Sequence, residues 1–284
     1  MFTLKKGTLY IVATPIGNLE DITFRAVRIL KEADLVAAED TRHSRKLFSH
    51  LGISRPMTSY FDHNKAFKGP YLLEKLKEGL SVALISDAGT PCISDPGYQL
   101  VRDAVESGID VVPIPGPSAF IAALSASGLQ TDSFVFEGFL PSRQGKRRDK
   151  LISLKEEQRV IIFYESPRRL HAALSDILEV FGDRKVVVAR EITKIYEEFM
   201  RGSLSGIISG LSGREVRGEV LVLVSPPADS GNPERVNVHD ALKKCLRDGN
   251  LSVKDAVKMI AMETGIKKSE VYKEALKIVT REIK

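Results

Sequence analysis

Apolar and polar positions alternate in two different ways along this chain. In the first half, short apolar runs precede amphipathic segments. Residues 8–13 form a β-branched, apolar run, and residues 22–33 place Ile22, Ala26, Ile29, Leu30 and Ala33 at helical spacing. Residues 34–38, Val82–Ile85 and Asp110–Ile114 are further strand candidates, and the last two lead into helix-like stretches at Tyr98–Glu106 and 118–127. That alternation predicts an α/β fold with a parallel sheet.

From about residue 128 the pattern changes. Phe134–Phe139 alternates, and 160–164, 186–189 and 219–224 are near-continuous apolar runs. Residues 167–180 are the one convincing helix among them, so a separate, more mixed α/β domain is expected. The polar, basic stretch 141–150 reads as a mobile loop. Residues 225–237, with Pro226, Pro227, Gly231 and Pro233, read as a linker. Beyond it, Ser252 and Asp255 resemble a capping box, Gly265 marks a turn and Ser269 is placed to cap a last helix. Ala261, Gly265 and Val271 fit a helix-turn-helix, and fit a plain three-helix module equally well. The expected domains are 1–117, 118–228 and 235–284.

Charge changes the picture only in the last segment. The net charge is +5, and from Arg235 onward 12 Lys and Arg stand against 7 Asp and Glu, so the whole excess lies there. A neutral body with a basic tail suits a polyanionic partner such as RNA, or is simply a solvated lysine surface. Cys92 and Cys245 are the two cysteines, too few for a disulfide framework, and a reducing cytoplasm is expected. No apolar window suggests a membrane span or a signal peptide.

Candidate chemistry collects at three turns that follow strand-like runs. They are Thr14-Pro15-Ile16-Gly17-Asn18, Ser86-Asp87-Ala88-Gly89-Thr90-Pro91 and Pro113-Ile114-Pro115-Gly116-Pro117-Ser118-Ala119. Backbone N–H groups and helix N-termini converge at such turns, so a shared pocket for a small polar cofactor is expected. Asp87 either accepts hydrogen bonds from a ligand or caps its own turn, while Ser94-Asp95-Pro96-Gly97 reads as a structural cap. The first turn lacks the dinucleotide G-x-G-x-x-G spacing, and His43, His50, His63, His171 and His239 are scattered, so no metal site is expected. Two polar clusters remain. Glu39 to Lys46 is suited to hold a phosphate and take a proton through Asp40, Arg42 and Arg45, or is a salt-bridged helix start. Phe163 to Arg169 brings Tyr164, Glu165 and two arginines to a strand end, or is a helix start with Pro167 at its first position.

Taken together, residues 9–19, Ala38-Glu39-Asp40-Thr41-Arg42, the Ser86–Pro91 and Pro115–Ala119 turns and Phe163-Tyr164-Glu165-Ser166-Pro167 resemble the RNA-modifying branch of the tetrapyrrole methylase superfamily. The resemblance covers nearly the whole chain. It implies a two-domain tetrapyrrole-methylase-like α/β fold with a small all-α C-terminal domain, S-adenosylmethionine in the cleft, and a homodimer. It also implies methylation of the ribose 2′-hydroxyl of a decoding-region cytidine in 16S rRNA of the small ribosomal subunit. Carried over, Pro15 belongs to the first cofactor turn, Asp87, Gly89 and Thr90 to the second wall, Ser118 and Ala119 to the third, and Tyr164 to the second domain's side. Asp40 and Glu165 become candidate bases, with Arg42 placing a phosphate. The superfamily's tetrapyrrole-modifying members carry a Gly-rich first turn, and its absence here favours the RNA branch. A small-molecule methylase and a non-catalytic RNA-binding assembly factor are the alternatives.

Overall fold

The computed structural model describes residues 4–95, 97–227, 238–247, 252–264 and 267–282. The chain divides into two compact units, Met1–Pro226 and Pro227–Lys284.

The first unit opens with a fully parallel sheet. Strands β1 (Thr8–Val12), β2 (Leu35–Ala38), β3 (Met57–Ser59), β4 (Val82–Ile85) and β5 (Asp110–Ile114) stand in the order β3-β2-β4-β1-β5. Both faces are covered. On one, Tyr10, Val12, Val36 and Ala83 pack with Ile29 and Leu30 of helix α1 (Phe24–Glu32) and with Leu47 and Phe48 of α2 (Thr41–His50). On the other, Leu9, Ala37 and Leu84 pack with Leu72 and Leu76 of α3 (Lys65–Lys77) and with Leu100 and Ala104 of α4 (Tyr98–Glu106). Burial on both faces is why these strands read as continuous apolar runs rather than alternating ones. Thr23 starts α1 by accepting the Ala26 N–H at 3.1 Å, and Asp40 starts α2 by accepting the Arg42 N–H at 2.8 Å.

Helix α5 (Ala119–Ser127) leads into a second sheet of β6 (Phe134–Phe139), β7 (Val160–Glu165), β8 (Lys185–Arg190), β9 (Glu198–Ser203) and β10 (Val220–Val224). Its order is β6-β7-β10-β8-β9, parallel between β6 and β7 and antiparallel elsewhere. The last strand lies at the centre, with Val222 paired to Phe163 on one side and Val188 on the other. One face packs on α6 (Gln144–Ser153), α7 (Leu170–Phe181) and α8 (Leu204–Gly210). The opposite face takes Ala123 and Leu124 of α5 together with Ile16 of the first turn, so the first turn is anchored on the second sheet.

Two expectations are corrected here. Residues 141–150 are not a loop, because α6 begins at Gln144. Its inward face is Arg147, Leu151 and the adjoining Leu154, and Arg147 is buried because its guanidinium meets the Asp176 carboxylate of α7 at 2.6 Å. The helix spanning 167–180 is also not alone, since α6 and α8 accompany it and α7 itself starts later, at Leu170.

The second unit holds three helices, α9 (Val238–Arg247), α10 (Val253–Thr264) and α11 (Lys268–Glu282). Leu242, Val257, Ile260, Val271, Ala275 and Ile278 form its core. The Ser252 hydroxyl accepts the Asp255 N–H at 3.2 Å and donates to its carboxylate at 2.5 Å, closing a box at the start of α10. Helix α11 begins at Lys268, so Ser269 lies inside its first turn rather than before it. The expected turn at Gly265 and most of the 225–237 linker lie outside the described residues. No helix among the described residues is long and apolar enough to cross a membrane.

Candidate active site

The three turns follow β1, β4 and β5, which are neighbours in the sheet, so their C-terminal ends share one rim. They are tied to one another. Thr14 N–H donates to the Gly89 carbonyl at 2.9 Å and Gly89 N–H returns to the Thr14 carbonyl at 3.0 Å. The Thr90 hydroxyl donates to the Pro117 carbonyl at 3.3 Å, joining the second turn to the third. Gly89 sits at φ +79°, where a Cβ would be strained and 3.3 Å from Ile16. Gly116 lets the third turn close on the first, since a Cβ there would lie 3.0 Å from that of Ala13.

A cleft of about 410 Å³ opens above this rim, lined by both halves of the first unit. It brings together Asp87, Gly89, Thr90, Ser118, Ala119, Tyr164 and Glu165, all anticipated from sequence. Pro15, Asp40 and Arg42 are not in its lining. The Arg42 guanidinium and N–H hold the Asp40 carboxyl down at about 2, and the Arg42 side chain is 86% exposed.

The floor is acidic. Asp87 accepts the Asp40 N–H at 3.1 Å while its own N–H donates to Glu39 at 3.3 Å, locking the two strand ends together. Burial, partly offset by that bond, raises the Glu39 carboxyl above the ordinary range. Asp95 is pushed up to about 6, first by burial and then by the charge of Glu39, against a hydrogen bond from Ser86. Glu39 and Asp95 both line the cleft, although from sequence Glu39 reads only as part of a polar cluster and Asp95 as part of a structural cap. Nothing in the string Ser94-Asp95-Pro96-Gly97 distinguishes a cap from a site residue, because the difference lies in what the strands bring beside it. Cys92 and Ser94, at φ +72° and +65°, hold this segment in a backbone that such residues rarely adopt.

The second sheet supplies the opposite wall. Glu165 ends β7 with its side chain wholly buried, and its Oε1 accepts from the Ser166 N–H and the Arg169 guanidinium, both at 2.6 Å. Its Oε2 is buried with no hydrogen-bond partner, a costly arrangement unless a ligand completes it. Burial and the charges of Asp95 and Glu219 lift the Tyr164 hydroxyl to about 12, so it stays a neutral donor. Lys194 braces this wall through Glu191 at 2.9 Å and Glu219 at 3.1 Å.

The description "Tetrapyrrole (Corrin/Porphyrin) Methylases" belongs to the family model that matches residues 8–208. The chain is 47% identical over 272 residues to the ribosomal RNA small subunit methyltransferase I of Halalkalibacterium halodurans, covering 94% of each chain. It is 46% identical to the protein of the same name from Pseudomonas aeruginosa, covering 96% of this chain and 98% of that one. Among solved structures, a cobalt precorrin-4 methyltransferase superposes with a TM-score of 0.59 at 18% identity, over 77% of this chain and 95% of the other. The uroporphyrin-III C-methyltransferase of Thermus thermophilus, complexed with S-adenosylhomocysteine, superposes with a TM-score of 0.56 at 19% identity, over 77% and 97%. These last two show a shared fold, and the relatives and the family model together show descent. The chain belongs to the tetrapyrrole methylase family, in the branch of the ribosomal RNA small subunit methyltransferase I proteins.

Proposed function

We propose that this protein transfers a methyl group from S-adenosylmethionine to the ribose 2′-hydroxyl of a decoding-region cytidine in 16S rRNA, acting on the small ribosomal subunit as a cytoplasmic homodimer. The observation that carries the reading is the cleft itself, where three braced turns share one lining with Tyr164 and Glu165 at the end of β7. Near-full-length similarity to proteins named for small-subunit rRNA supports the substrate. The domains follow as 1–117 and 118–228 around the cleft, with 235–284 as the RNA-directed appendage.

The donor set fits the cofactor. Asp87 and Glu39 are acceptors for hydroxyl and amino groups beside a cation, and the open first turn of α5 at Ser118 and Ala119 suits a carboxylate. Gly89 keeps the second turn free of a side chain, so backbone approaches closely, and Thr90 fixes its distance from the third turn. Bound there, the cofactor supplies a methyl already activated on a sulfonium.

The chain must then orient the ribose and take its proton. Asp40 and Glu165, anticipated from sequence, and Asp95 are the candidate bases. Asp40, at about 2, is a weak base and stands outside the lining. Glu165 has one oxygen committed to Arg169. Asp95, in the lining and at about 6, is matched to accept a proton near neutral pH and is the base we assign. Asp40 keeps Arg42 in place, and the exposed Arg42 is free to meet a phosphate outside the cleft.

Labelled S-adenosylmethionine, small subunits lacking the modification and mapping of the labelled nucleotide test the reading directly. Label on a single cytidine ribose is expected. Absence of label from competent subunits, with cofactor bound, would shift the assignment to a small-molecule methylase.

A further inference from the structure

We propose that Phe139 is a stacking platform for an unstacked nucleobase of the RNA, held at the mouth of the cofactor cleft; the inference rests on the RNA-methylation reading above. Phe139 lines the cleft, yet it is 60% exposed. Single exposed apolar side chains are ordinary on a protein surface, and Phe24, Phe67 and Tyr196 are more exposed still; Phe139 is set apart by lining the cleft.

The backbone aims it there. Pairing of β6 with β7 slips between Phe136 and Gly138, and Gly138 adopts φ +65°. A bulge of this kind redirects the side chain that follows, and here that side chain is Phe139. Any other residue at 138 would be strained, with its Cβ 3.3 Å from the Ser94 hydroxyl across the rim.

Other rings support it from behind. Tyr164 lies 5.4 Å from Phe139 at a tilt of 37°, meets Phe136 edge-on at 5.2 Å, and Phe136 stacks on Phe120 at 4.5 Å. The row is half-buried up to its last member and exposed there. A fixed aromatic row ending in an open face is how proteins hold unpaired bases, because every base offers a π-face. A ribose whose hydroxyl enters this cleft must carry its base out of any helix, and the base then needs a surface at the mouth. Two exposed arginines follow lining residues in the chain, Arg143 after Phe139 and Arg168 directly after Pro167. That charge suits the phosphates flanking an extruded nucleotide and does not suit an apolar partner surface.

The test compares Phe139→Ala, Phe139→Leu and Phe139→Tyr with wild type in the full chain. KM and kcat are measured on unmethylated small subunits, S-adenosylhomocysteine affinity by calorimetry, and mass by light scattering. Stacking of one base implies that KM rises about five-fold or more in the Ala and Leu variants and stays within about two-fold in Tyr. Cofactor affinity and mass should not change in any of them. Leu preserves apolar bulk, so a Leu variant with wild-type KM would overturn the proposal. Weakened S-adenosylhomocysteine binding would assign the ring to the cofactor's adenine instead, and a changed mass would assign it to a second copy of the chain. If wild type itself transfers no methyl to the subunits, the RNA reading has failed before Phe139 is judged, and the proposal falls with it.

Discussion

Asp95 shows how one residue links stability to chemistry. Its folded carboxyl titrates at about 6 against an ordinary value of 3.8. Between those values the native state retains a proton that the unfolded chain has lost, so the residue costs stability as pH rises through that window. Above it, the charge sits half-buried beside Glu39 and Asp87 at full cost. Replacing Asp95 with Asn removes the charge and keeps the shape. The variant is therefore expected to melt higher than wild type at pH 8, with the difference closing toward pH 4. Its kcat should fall at every pH, and the wild-type rate should rise with pH through about 6. A variant that melts higher but turns over normally would leave Asp95 as a buried charge with no role as base. Arg147 and Asp176 make the opposite case. The pair is buried to 5% and 2% side-chain exposure, and hydrogen bonds from Arg148, Gln144 and Arg147 outweigh burial and keep the Asp176 carboxyl below its usual range. Asp176→Ala would strand the buried Arg147 guanidinium, while Arg148 keeps its pairing with Glu179, and a loss of about 3–5 kcal/mol in denaturant unfolding is expected.

At the scale of elements, legibility depended on whether the deciding contacts were local. Val82–Ile85, Tyr98–Glu106, Asp110–Ile114 and Phe134–Phe139 coincide with the observed elements, because an apolar run bounded by turn residues suffices to define them. Helix α6 was misread because its inward face contains an arginine, and only the distant Asp176 makes that position a core position. Helix α3, with Gly69-Pro70 inside it and Leu72 and Leu76 buried beyond them, has no counterpart among the expected elements. Strand β9 is an edge strand without a fully buried residue, so it lacks an apolar signature. The turns of the cleft were legible for the same reason as the strands, since their Pro and Gly spacing is local. Their bracing makes a prediction at this scale. Gly89→Ala places a Cβ at φ +79° against Ile16, a conformation costing roughly 1–2 kcal/mol, and it moves the only turn bonded to both others. Calorimetry should show S-adenosylhomocysteine bound about ten-fold more weakly or worse, with a modest fall in melting temperature.

Over the whole molecule, the sequence suggested where charge concentrates but not how each charge is used. The basic stretch 141–150 spends much of its charge internally, since Arg147 and Arg148 bind Asp176, and Lys150 binds Glu137. Arg143 and Lys146 remain exposed there. The second unit differs. Lys254, Lys258, Lys267, Lys268, Lys273 and Lys277 are all exposed, and their helices close a core of their own around Leu242, Ile260 and Val271. A unit with its own core, even with Met262, Tyr272 and Leu276 exposed, can present its lysines to a polyanion. Each phosphate that it neutralises releases counterions, so its share of affinity should show in the salt slope as well as in the dissociation constant. A chain ending after Pro226 keeps all four hydrophobic clusters of the first unit and every residue of the cleft lining. It is expected to bind S-adenosylhomocysteine as the full chain does, to bind small subunits more weakly, and to show a shallower dependence of that binding on salt. Equal affinity and equal slope in the shortened chain would assign RNA binding to the first unit alone and leave the lysines of the second as a solvated surface.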